Sequence, residues 1–330
     1  MLHERTLGRR GLKVAEIGLG TMGMTAFYGR GGSREEHLRV IRRAHELGVT
    51  LFDTAELYNR GNGANEVLLG EAVAPFRESV QLATKFGFTY DANGDSNGRD
   101  SSPSNIRRVT ENSLRYLGTE VIDVLYQHRQ DPAVPVEEVA GAVKELIEEG
   151  KVRYFGLSEV GPETLRRAHA VQPVSVVQTE YSLFERGVES EVLPAARELG
   201  IGFVPYSPLG RGFLTSAVKP AEQYEASDFR RHDARWQGEN YRSNVSAVDR
   251  LTALAHDNGV TAAQLALAWL LAQGDDIVPI PGTRSVDRLE ENISAAALSL
   301  TATELDLIDE IIPDGAVGAR YTDEHLPTWV

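Results

Sequence analysis

The chain has 330 residues, 42% hydrophobic and 25% charged, with a formal net charge of −14. That composition is globular rather than disordered, and the length supplies one large core or two modest ones. The acidic balance argues against nucleic-acid binding, no apolar run is long enough for a membrane span, and the lack of cysteine excludes disulfides, Fe–S clusters and thiolate zinc sites.

The opening stretch MLHERTLGRRGLKV has no apolar secretory core, so a cytoplasmic location is expected. Its second part, RTLGRRGLKV, reads as a β-hairpin turning at Gly8-Arg9-Arg10-Gly11. Eight short apolar runs follow in chain order: 16–20, 50–55, 80–86, 121–128, 152–158, 174–180, 201–207 and 276–282. The segments between them carry helical period. Val136, Val139, Ala140, Val143 and Ile147 form one apolar stripe. Ser33 to Glu36, Thr261 to Gln264 and Thr301 to Glu304 are capping boxes, and Ser102-Pro103 supplies an N-cap with proline at the first helical position.

Apolar strands alternating with helices imply a parallel sheet covered on its faces. Eight such units favour a closed (β/α)8 TIM barrel, as one domain over 1–330, rather than a doubly wound open sheet. Residues 213–245 form a long polar insertion after the seventh strand, of the kind that usually carries function. GLGTMG at 18–23 matches a dinucleotide fingerprint but lacks its context. No helix opens there, since the next one begins near Arg34, so a loop after the first strand is expected instead.

Catalytic groups of such a barrel gather at the C-terminal ends of its strands. The second run delivers Asp53, with Tyr58 in the loop beyond; the third delivers Lys85 and the fourth His128. Each has an ordinary structural reading alone. Together at one rim they must pair, because burying a carboxylate and an ammonium costs several kcal/mol otherwise. Lys85 beside Tyr58 is expected to lower the phenol pKa, and Asp53 to keep Lys85 charged. This is a general acid aimed at a carbonyl oxygen, and a hydride donor would complete the chemistry. In YSPLGRG (206–212) an aromatic ring precedes small residues that can approach phosphate. In PGTRSVDRLEEN (281–292), Gly282 and Thr283 precede a helix with Arg284 and Arg288 on one face. With Arg211 these arginines form a local basic patch, which favours NADPH over NADH.

With these motifs the chain resembles the aldo-keto reductases over nearly its whole length. The matching contexts are FDTAELY, LATKFG, YQHR, GLSE, QTEYSL, PYSPLGRG and IPGTRSVDRLEEN. The branch most similar includes pyridoxal-reductase-like and perakine-reductase-like enzymes and, more distantly, potassium-channel β subunits. The resemblance implies NADPH-dependent reduction of aldehydes or ketones, with Tyr58 as general acid, Lys85 and Asp53 tuning it and His128 orienting the carbonyl. It implies that Ser158 and Gln178 hold the nicotinamide carboxamide and that Tyr206 stacks on the ring. Ser207, Leu209, Gly210 and Arg211 would meet the pyrophosphate side. Gly282, Thr283, Arg284, Arg288, Glu291 and Asn292 would hold the 2′-phosphate end, and Gly20, Thr21, Met22 and Asp53 complete the cofactor set. One departure stands out: Glu159 occupies a position where many members carry asparagine. The expected substrate pocket comprises Phe27, Tyr28, Tyr58, Phe88, His128, Arg129 and Trp236, with the tail YTDEHLPTWV near it. The expected partner is a small carbonyl compound, with no metal, nucleic acid or membrane. Two other readings remain open at this point: a Schiff-base lyase using Lys85, and a non-catalytic NADPH-binding redox-sensing subunit.

Overall fold

Two antiparallel strands, β1 (Glu4–Leu7) and β2 (Leu12–Ala15), open a computed structural model that describes residues 2–29, 31–58, 61–91, 96–215 and 217–321. They turn at residues 8–11, as expected. Gly8 sits at φ 70°, and a Cβ there would lie 2.3 Å from the Ser175 carbonyl oxygen, so glycine lets the turn press against the barrel floor.

Alternation then begins with β3 (Leu19–Gly20), α1 (Arg34–Glu46), β4 (Leu51–Asp53), α2 (Ala64–Val73) and β5 (Gln81–Phe86). A second hairpin, β6 (Phe88–Tyr90) with β7 (Ser96–Arg99), precedes α3 (Pro103–Leu117). Next come β8 (Ile122–Gln127), α4 (Val136–Glu148), β9 (Val152–Ser158), α5 (Pro162–Val171), β10 (Val174–Glu180), α6 (Val192–Leu199) and β11 (Gly202–Tyr206). Helices α7 (Gly238–Asp257), α8 (Ala262–Ala272), α9 (Val286–Ser294) and α10 (Ala302–Ile311) complete the described elements. The three capping boxes and the Ser102 cap form as expected. Among the described residues, no helix is long and apolar enough to cross a membrane.

The parallel sheet runs in the order β11-β10-β9-β8-β5-β4-β3. The eighth expected strand, 276–282, is not a regular strand. It bridges the two edges instead: Ile277 pairs with Phe203 on one side and Gly282 with Gly20 on the other, which closes the (β/α)8 barrel. Pro279 and Pro281 have no N–H to give a ladder, which explains the irregularity. The insertion also differs from its expected bounds. Short 3-10 turns occupy 210–215, 221–223, 229–231 and 234–236, and α7 already begins at Gly238. The first two turns of α7 are polar enough to read as loop, and its buried positions start at Asn244.

Strand alternation explains where the site lies. Leu51, Ala83, Val124, Tyr126, Val176, Val204, Val278 and Ile280 pack inside the barrel, and Leu7, Leu12 and Val14 of the hairpin plug its floor. Side chains two residues further along a strand point the same way, one layer higher. From Leu51 that step reaches Asp53, from Ala83 Lys85, from Tyr126 His128, from Val176 Gln178 and from Val204 Tyr206. The lower layers are apolar and the top layer is polar.

Candidate active site

Lys85 is the centre of the top layer. Its ammonium donates to Asp53 Oδ1 at 2.5 Å, to the Thr54 carbonyl oxygen at 2.8 Å and to the Tyr58 hydroxyl oxygen at 3.4 Å. Those three acceptors match the three hydrogens of the ammonium, so no free amine is presented for a Schiff base. The second oxygen of Asp53 accepts from Gln178 Nε2 at 2.8 Å. The His128 ring lies edge-on to Tyr58 with centroids 6.1 Å apart. All four side chains are buried, Lys85 at 1% exposure and His128 at 8%.

The loop that carries Tyr58 is held by backbone and side-chain contacts. Tyr58 N–H donates to the Ala55 carbonyl at 3.2 Å and Glu56 N–H to that of Lys85 at 3.3 Å. Asn65 on α2 clamps the loops after β3 and β4. Its Oδ1 accepts from the Thr21 and Thr54 hydroxyls, and its amide donates to Thr21 O and Thr25 Oγ1. Sequence reasoning missed Asn65, since a polar residue in the first turn of a helix carries no distinctive signal.

Electrostatics correct one expectation. Burial, and then the Asp53 carboxylate, push the Tyr58 phenol well above its ordinary 10, so Lys85 does not yield a phenolate. Removing an anion from water outweighs an ammonium at 3.4 Å. Tyr58 therefore holds its proton at neutral pH, as a general acid must. Burial, followed by Lys85, Arg129 and Arg99, pushes His128 well below 6.5, so the imidazole is neutral. Burial lowers Lys85 too, and Asp53 opposes that shift.

Aromatic rings line the mouth above. Phe27 lies edge-on to Tyr58 at 6.5 Å, and Phe88 on β6 edge-on to His128 at 5.2 Å. Tyr28 stacks under the Arg230 guanidinium at 5.0 Å. Trp236 is a correction: it is 2% exposed and packs in the core on Phe213 at 4.8 Å, not in the pocket. Trp329 lies outside the described residues.

The expected cofactor residues divide. Ser158 Oγ accepts from Arg129 at 3.3 Å, and Gln178 is engaged with Asp53. Ser207, Gly210, Arg211 and Gly212 all adopt positive φ, forming a tight turn beyond β11. The Arg211 guanidinium is not free for phosphate. It is 7% exposed and donates to Asp233 Oδ2 at 2.5 Å and Glu180 Oε2 at 2.9 Å. Arg284 donates to the Tyr28 carbonyl at 3.4 Å, and neither it nor Arg288 forms an ion pair among the described residues. Only these two remain of the expected basic patch. They flank Ser285, which caps α9 by accepting from Arg288 N–H.

Residues 16–313 match the Aldo/keto reductase family. A Glycine max protein named "Probable aldo-keto reductase 1" is 45% identical over 317 residues, 96% of this chain and 90% of that one. The chain belongs to the aldo/keto reductase family.

Solved structures agree in fold. A glycerol dehydrogenase from Gluconobacter oxydans superposes with a TM-score of 0.86 at 28% identity, over 97% of this chain and 98% of that one. The holo form of an aldo-keto reductase from Bacillus halodurans gives 0.80 at 28% identity, over 98% and 99%. The present aldo-keto reductase is an oxidoreductase enzyme, and its family acts on small-molecule carbonyl compounds with nicotinamide cofactors.

In this reductase the structure accounts for Glu159. Its backbone is left-handed at φ 55°, and its carboxylate is engaged by Arg320, Tyr206 and Glu180. It accepts two bonds from Arg320 at 2.9 Å, one from the Tyr206 hydroxyl at 2.7 Å and one from Glu180 N–H at 3.1 Å. Glu180 in turn receives Arg211 and Arg235, and Arg235 reaches Glu185 at 2.7 Å. Burial pushes Glu180 up, but Arg211, Arg235 and Arg320 outweigh it and hold the carboxyl below its ordinary range. This network ties the insertion and residues 318–321 to the ends of β9 and β10. Sequence reasoning named Glu159, Tyr206 and Arg211 of it, and none of their mutual contacts.

Proposed function

We propose that this reductase converts aldehydes or ketones to alcohols with NADPH, Tyr58 acting as the general acid. The observation that carries the reading is the contact chain Asp53–Lys85–Tyr58, at 2.5 and 3.4 Å, beside a neutral His128. A bound nicotinamide would supply hydride to the carbonyl carbon. The chain's own residues manage the oxygen. As negative charge develops there, Tyr58 donates its proton, and the phenolate left behind lies next to the Lys85 ammonium. Asp53 keeps that ammonium charged. His128 hydrogen-bonds the carbonyl oxygen and fixes its direction.

The donor set fits a cofactor carrying a 2′-phosphate. Arg284 and Arg288 are without ion pairs among the described residues, whereas Arg211, Arg235 and Arg320 are each neutralised. On this reading Gly282, Thr283, Arg284, Arg288, Glu291 and Asn292 hold the phosphate end. The main chain of Ser207, Leu209, Gly210 and Arg211 meets the pyrophosphate, Tyr206 stacks on the nicotinamide, and Ser158 and Gln178 hold its carboxamide. Gly20, Thr21, Met22 and Asp53 line its other side. Phe27, Tyr28, Phe88 and Arg129 wall the substrate, which favours an apolar or aromatic carbonyl compound. Residues 1–330 are read as one domain acting in the cytoplasm.

Fluorescence titration with NADPH and NADH, then aldehyde-dependent loss of nicotinamide absorbance, tests the reading. Tighter NADPH binding with turnover is expected. Preference for NADH contradicts the cofactor assignment, and binding without turnover of any aldehyde favours the redox-sensing alternative.

A further inference from the structure

Arg129 follows His128 directly at the mouth of the barrel. One nitrogen, Nη1, donates to the His128 carbonyl at 2.7 Å and to Ser158 Oγ at 3.3 Å. Its Nε and Nη2 have no hydrogen-bond partner among the described residues, and the guanidinium has no ion pair there. Three arginines of the neighbouring ion network contrast with it. Arg211, Arg235 and Arg320 each meet a carboxylate within 3.0 Å. The two oxygens of Glu159, the nearby acid, are taken by Arg320 and Tyr206. In this half-buried guanidinium two nitrogens without an acceptor among the described residues are donors ready for an arriving oxyanion, and Glu159 helps to keep the group charged from a distance.

The surroundings add to the positive character. Arg99 on β7 donates to the Gln130 carbonyl at 2.8 Å and forms no ion pair among the described residues. Lys85, Arg129 and Arg99 all act on His128. Phe27 lies edge-on to Tyr58 and Phe88 edge-on to His128, which puts apolar rings beside the residue that Arg129 follows.

We propose that Arg129 recognises a carboxylate on the carbonyl substrate, making the preferred substrates aldehydes that bear a carboxylate on an aromatic or apolar frame. The inference rests on the proposed carbonyl reduction and names its substrate class. A cofactor phosphate is the other possible source of an oxyanion. The topology speaks against it. Arg129 follows β8, in the middle of the strand order, while Gly282 to Arg288 follow the segment that closes the barrel between β11 and β3.

The test compares 4-carboxybenzaldehyde with its methyl ester in wild type, Arg129→Lys and Arg129→Met. Wild type should favour the acid in kcat/KM by about tenfold or more, as a charge-assisted pair provides. Arg129→Met should abolish that preference, and Arg129→Lys should keep part of it. In parallel, calorimetry on the wild-type NADPH complex should show benzoate binding and no comparable binding of benzamide, a readout independent of turnover and of any variant's folding. Equal use of acid and ester by wild type, or benzamide binding as well as benzoate, overturns the proposal. So does an Arg129→Met variant that loses NADPH affinity and both substrates alike, which would assign the guanidinium to the cofactor. Failure of wild type to turn over either aldehyde while benzoate still binds would instead sink the reductase reading.

Discussion

Replacing Glu159 with alanine removes an acceptor that three groups share at 2% exposure. Arg320 loses two bonds of 2.9 Å, Tyr206 one of 2.7 Å and Glu180 N–H one of 3.1 Å. Removing one partner of a buried ion pair costs about 3–5 kcal/mol, mostly through the charge left behind. Arg320 retains Glu180 at 3.8 Å and Glu185 at 3.9 Å, so partial compensation puts Glu159→Ala near about 3 kcal/mol. Glu159→Gln keeps the shape and one acceptor oxygen and should lose about 1–2 kcal/mol. Glycine at this position relieves a left-handed backbone worth about 1–2 kcal/mol, so Glu159→Gly should lose less than Glu159→Ala, about 1–2 kcal/mol. Equilibrium urea denaturation of the four proteins measures the series. Glu159→Ala and Glu159→Gly should also bind NADPH more weakly, because the Tyr206 hydroxyl is then left with its 3.0 Å contact to Tyr321. A loss below about 1 kcal/mol for Glu159→Ala, with NADPH affinity unchanged, would refute the view that this network is dry and holds Tyr206.

Glu56 and Arg288 give two further expectations. Burial, then Glu66, raises the Glu56 carboxyl from 4.5 to about 7. A group raised on folding contributes most below its unfolded value, so stability is lost as pH rises from about 4.5 to 7, by up to about 3 kcal/mol. Glu56→Gln should remove that slope and be the more stable form at pH about 8 in urea denaturation, while an unchanged slope would show that Glu56 titrates normally. Arg288→Ala should weaken NADPH about tenfold or more and NADH little, as measured by fluorescence titration, whereas equal weakening would remove Arg288 from the 2′-phosphate.

Much of the fold was legible because the parallel strands are continuous apolar runs, and the polar residue at each strand end breaks the pattern. Asp53, Lys85 and His128 stand out for that reason, and period two brings them to one layer. The hairpin β6–β7 was not legible, because its SNGR strand is fully exposed and shows no apolar alternation. The eighth barrel position looked like a strand from its apolar residues, but Pro279 and Pro281 withhold the ladder donors. The ion network was hidden by distance along the chain, as Glu159 and Arg320 are 161 positions apart. Trp236 and Arg211 were placed by their loop, although their burial is decided by contacts that the loop's composition does not reveal. The Tyr58 proton affinity had the wrong expected direction for a related reason. Sequence can put a lysine next to a phenol, but the extent of desolvation is a property of the assembled site.

The central claim is that Tyr58 delivers the proton. Tyr58→Phe removes the hydroxyl and keeps the ring that packs edge-on to His128 and Phe27. Steady-state kinetics with a reducible aldehyde, alongside NADPH titration of the same protein, measures its effect. The account predicts that kcat falls by about 100-fold or more while NADPH affinity stays within about twofold. Retention of more than about a tenth of wild-type kcat, with the cofactor bound normally, would contradict it.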